Sequence, residues 1–160
     1  MGGIWILVVG AFPVVSLPPR LVPHLCRNAR RSSALTSVVM NSDFESIFVR
    51  LRGILQKHSA GLAVTADGLD HYCLQVAFSP KLKKPFPVAW VKIGKAYVSY
   101  HFMPVYMFPR LLDSRSDKLR ARMQGKSCFN FKVVDEALFK ELEDLTTEGF
   151  ARCKEAGFGP

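Results

Sequence analysis

The chain reads as an α+β domain: a small, mainly antiparallel sheet with helices packed on one face, in the order α-β-β-β-α-β-α. Three observations predict this. Two runs, from Phe44 to Leu55 and from Leu138 to Leu145, place apolar residues at helical spacing. The stretches between them alternate apolar and polar residues at strand spacing. The pair Gly94-Lys95 separates two of those stretches as a tight hairpin signal.

Each element has its own justification. Ser42 with Glu45 three residues later forms a capping box, in which hydroxyl and carboxylate satisfy the free amides of a helix start. Phe44, Ile47, Phe48, Leu51, Ile54 and Leu55 make one apolar stripe, Arg50, Arg52 and Lys57 lie opposite, and Gly61 ends the helix. Tyr72, Leu74, Val76 and Phe78 then share one strand face, with His71, Cys73 and Gln75 on the other. A basic loop, Pro80 to Pro85, leads to strands over 88–93 and 96–102. Pro104 and Pro109 close that region, and residues 108–113 form a short helical turn. Ser116 caps a basic helix through Gln124, with Leu119 and Met123 inward and Gly125 as its left-handed stop. Residues 128–132 make a strand, and Asp135 opens a final helix to about Glu155 whose outer face is acidic: Glu141, Glu143, Asp144 and Glu148.

Composition bounds the rest. A chain of 160 residues with 12 Phe and 49% apolar residues builds one core without metal or disulfides. Cys26, Cys73, Cys128 and Cys153 lie far apart with no C-x-x-C pair, which points to small apolar filler in a reducing, cytoplasmic setting. The net charge of +9 includes four arginines before Met40, so the remainder holds eighteen bases against thirteen acids, or +5. That is a modest pull on polyanions.

Residues 1–39 read as an extension outside the fold, and residues 40–160 as the domain. Ile4 to Val15 is apolar but interrupted by Gly10 and Pro13, and falls short of the roughly twenty residues of a membrane span. No base precedes that run and no small-x-small cleavage site follows it, so a secretory signal fits poorly. The Arg- and Ser-rich part after it has the flavour of a transit peptide. The simplest reading is an over-called start, with Met40 as the true first residue.

Gly125-Lys126-Ser127 invites a phosphate-loop reading, but position 120 is Arg120 where that loop needs glycine, and the order is helix–turn–strand. His71, Cys73 and His101 are candidate metal ligands from two strands. Cys128, beside Lys126 and Lys132, lacks a base in sequence to make it a nucleophile and reads as a core-facing strand residue. The strongest signal is a set of bases interleaved with aromatics: Lys84, Trp90, Tyr100, Arg122, Lys126 and Phe129. Bases hold an anion while a ring stacks on an aromatic side chain.

The run Lys84-Pro85-Phe86, the hairpin ending near Pro104, the basic helix, Gly125 to Phe131, and Asp135-Glu136-Ala137-Leu138-Phe139 together resemble the bacterial YdhG-like (DUF1801) family over residues 41–158. The resemblance implies a small α+β domain without an assigned catalytic residue. Some members are described as frataxin-like, which implies an iron carrier with acids on the first helix; here that helix offers Asp43 and Glu45. The residues therefore point first to a non-catalytic module, without cofactor, that binds an anionic ligand, nucleic acid or acidic protein partner. A metal carrier is the second reading, using acids of the last helix or His71, Cys73 and His101.

Overall fold

The computed structural model describes residues 42–158. The readings of residues 1–39, of Met40 and of the Ser42 hydroxyl lie outside the described residues. The elements are α1 (Ser42–Gln56), β1 (Ala63–Asp67), β2 (His71–Ser79), β3 (Lys84–Ile93), β4 (Val98–Phe102), α2 (Met103–Met107), a 3-10 turn (Pro109–Leu112), α3 (Asp117–Arg120), β5 (Cys128–Phe131) and α4 (Glu136–Glu155). The strands form one five-stranded antiparallel sheet in sequential order, β1 to β5. The α+β architecture is therefore the expected one.

Burial follows the two periodicities. Ile47, Phe48, Leu51, Ile54 and Leu55 of α1 and Leu138, Phe139, Leu142 and Leu145 of α4 are buried. They meet the inward residues of the sheet, among them Leu74, Val91, Val98, Tyr100, Phe102, Phe129 and Phe131. Phe131 packs edge-on against Phe139 and Phe102 against Phe150, which places α4 on this face. Gly149 permits the close approach: a Cβ there would sit 2.4 Å from the Phe102 ring. A buried polar contact between α4 and the sheet is satisfied, since the Tyr100 hydroxyl lies 2.7 Å from Thr146 Oγ1, which donates to the Leu142 carbonyl.

Four local expectations need correction. The sequence reading misses β1, whose five residues carry little alternation. Phe78 is 61% exposed, because a register shift between Val76 and Ser79 turns Ser79 inward instead. Ile93 pairs with Val98, so the β3–β4 connection is the four-residue loop 94–97 and not Gly94-Lys95 alone. The helix capped by Ser116, whose hydroxyl accepts from Leu119 N–H, ends at Arg120 and not at Gln124. Beyond it the chain is drawn to the sheet edge: Asn130 N–H donates to the Arg122 carbonyl and Gln124 N–H to the Cys128 carbonyl. Gly125 (φ +79°) supplies the left-handed turn as expected.

A tryptophan–histidine–cysteine row on the outer sheet face

Strand alternation assigns a second face, turned away from α1 and α4. Tyr100 and Phe102 point inward, so Ser99 and His101 point outward; Phe129 and Phe131 point inward, so Cys128 and Asn130 point outward. Register then aligns these outward residues. Cys73 lies opposite Trp90, Trp90 opposite His101, and His101 opposite Cys128, giving one row across four strands. His71, Lys92, Ser99 and Asn130 form the adjacent row.

The rings of Trp90 and His101 stack with centroids 4.4 Å apart and planes 10° from parallel. Two neighbours on adjacent strands stack this way only if both rings stand upright on the sheet. The indole face not covered by His101 therefore looks toward β2, where the row continues with the small side chains of Cys73 and its β1 partner Ala66. On the far side of the ring pair, Cys128 Sγ lies 3.3 Å from His101 Nε2, and its thiol donates to Asn130 Oδ1 at 3.3 Å. Asn130 Nδ2 donates in turn to Gln124 Oε1 at 2.7 Å.

Electrostatics hold the Cys–His pair neutral. Burial lowers the His101 pKa below the usual histidine value. Burial also pushes the Cys128 thiol up, with a hydrogen bond from Ser99 pulling partly the other way. A reactive cysteine needs the opposite, a local positive field that favours thiolate. The pair is a nucleophile–base contact by distance and an inert one by charge. Cys128 is nevertheless only partly buried and lies on the outer face, not core-facing as its sequence context suggests.

The flank of these rows is basic. Arg122, Asn130, Lys132 and Tyr97 line a shallow cleft of about 320 Å³. Lys92 stands exposed two residues beyond Trp90 on the same strand face. Among the described residues, none of Lys92, Arg122, Lys126 or Lys132 is in an ion pair.

Of the six residues expected to form one ligand site, the structure brings Trp90 and Arg122 to this face. Tyr100 and Phe129 are fully buried on the other side of the sheet, so they fill the core and do not stack on a ligand. Lys84 starts β3, six residues from Trp90 and so about 20 Å along the strand. Lys126 turns toward the exposed ring of Tyr106, 5.5 Å from its centroid.

The metal trio is also separated. His71 and Cys73 lie on β2 and His101 on β4, and β3 runs between them with Lys92 opposite His71 and Trp90 opposite Cys73 and His101. Among the described residues no three His, Cys, Asp or Glu converge to hold a metal ion. The acids of α4 are engaged elsewhere: Glu143 with Lys57 at 2.6 Å, Asp144 with Lys140 at 2.7 Å, Glu148 with Arg115 at 2.6 Å, and Glu141 with the Ser116 hydroxyl at 2.7 Å.

Also among the described residues, no helix is long and apolar enough to cross a membrane. Cys73, Cys128 and Cys153 are free thiols. Comparison with protein-family models, curated proteins and solved structures found no match.

Proposed function

We propose that this domain is a non-catalytic binding module that takes single-stranded nucleic acid on the outer face of its sheet. The observation that carries this reading is the upright indole of Trp90, with one ring face on His101 and the other toward Cys73 and Ala66. A planar base would stack on the part of the indole that stays exposed, because every base has a π-face and stacking on an aromatic side chain tolerates any sequence. The outward polar row supplies hydrogen-bond partners: Ser99 and Asn130, with His71 at its far end. Lys92, Arg122 and Lys132 supply charge that no acid of the described chain neutralises. Phosphates passing along this edge meet cations with nothing to displace but water and counterions.

A salt titration tests the charge assignment. A fluorescent single-stranded decamer is titrated into the full-length chain by anisotropy at several salt concentrations. Each neutralised phosphate contributes a slope of about −0.7 in log K against log salt. The double variant R122A/K132A is expected to flatten the slope by about 1.4, two contacts' worth, and to melt at the wild-type temperature. An unchanged slope with unchanged melting would show that these two bases are not at the site.

A further inference from the structure

A second site lies on the opposite side of the sheet. Between the C-terminal ends of α1 and α4 is a cavity of about 300 Å³. Its floor is apolar: Val76 of β2 and Val88 of β3 line it while remaining 3% and 1% exposed. Its wall is the Phe150 ring, and the small side chains of Ala60 and Ala151 leave the space that larger residues would fill. Such a floor offers water no hydrogen-bond partner, so an apolar group displaces it favourably.

The mouth has a different chemistry. Lys57, His58, Thr147 and Lys154 border it. His58 is fixed there, stacked on Phe150 with centroids 5.0 Å apart and with Nε2 3.4 Å from Thr147 Oγ1. Burial lowers its pKa, so it is a neutral hydrogen-bonding group at neutral pH. Lys57 is paired with Glu143 at 2.6 Å, whereas Lys154 has no ion pair among the described residues. The mouth thus holds one uncompensated ammonium above an apolar floor.

We propose that this cavity binds a small amphipathic carboxylate, its chain on Val76, Val88 and Phe150 and its head group at Lys154. The volume is at the lower end of small-molecule sites, which suits one short apolar chain and excludes a two-chain lipid. The assignment shares no residue with the outer-face site, and either stands if the other fails.

The test uses the full-length chain and 8-anilinonaphthalene-1-sulfonate, an apolar aromatic body with one anionic group, as the probe. The wild type is expected to give saturable probe fluorescence that decanoate displaces. A151W, which places an indole over the space, is expected to abolish that signal, and K154E to weaken probe binding at least tenfold. Circular dichroism melting of both variants separates loss of the site from loss of the fold; should A151W unfold, K154E decides alone. Probe binding that survives A151W in a folded protein, that K154E leaves unchanged, or that decanoate fails to displace would overturn the proposal.

Discussion

Replacing Phe129 with alanine is expected to destabilise the chain by about 3–5 kcal/mol, the usual range for truncating a large buried aromatic residue. Phe129 is fully buried and pairs across the strands with Tyr100, which is equally buried. It belongs to a strand of only four residues, so the core contacts of β5 rest largely on Phe129 and Phe131. A typical domain has about 5–15 kcal/mol of stability, so the loss would be roughly a fifth of the total or more. Urea denaturation measures it. A change under about 1 kcal/mol would mean that the ring is not packed in the core and that its exclusion from the ligand site is mistaken.

Trp90 is expected to behave in the opposite way. W90A should weaken binding of a single-stranded oligonucleotide about 5- to 150-fold, the equivalent of the 1–3 kcal/mol assigned to stacking one base on an aromatic side chain. The ring is partly buried and stacks on His101, whereas Phe129 is fully buried, so the stability loss should be smaller than for Phe129. The same anisotropy titration measures the change. Affinity within twofold of wild type, in a variant that remains folded, would remove Trp90 from the site.

These two residues show how far the sequence could be read. Both are strand aromatics near bases, and residue type alone groups them at one site. Parity separates them: Val98, Tyr100 and Phe102 alternate with Ser99 and His101, and that pattern is visible in the sequence. The helical stripes of α1 and α4, equally visible, supply the apolar surface that pulls one parity inward. The contact between His101 and Cys128 was not readable in this way. Those residues are 27 apart, joined through α2, a 3-10 turn and α3, and they meet only because β5 pairs with β4 in one particular register. The end of α3 was hidden for a similar reason. Leu119 and Met123 have helical spacing, but the Arg122 carbonyl finds its partner in Asn130, eight residues on, and the chain leaves the helix to make that bond. The capping residues, by contrast, act locally and read directly: Ser116 and Asp135 each accept a hydrogen bond from the amide three residues on.

The proposed ligand lies on the face turned away from α1 and α4. The most direct test is a two-dimensional ¹H–¹⁵N spectrum of the full-length chain recorded while a single-stranded decamer is added. The Trp90 indole signal, the Asn130 side-chain amide and the backbone amides of Lys92, His101 and Cys128 are expected to shift together and saturate at one concentration. Shifts confined to the end bearing Lys84 or to the helices on the other side, or no shift at concentrations that saturate the anisotropy signal, would contradict that placement.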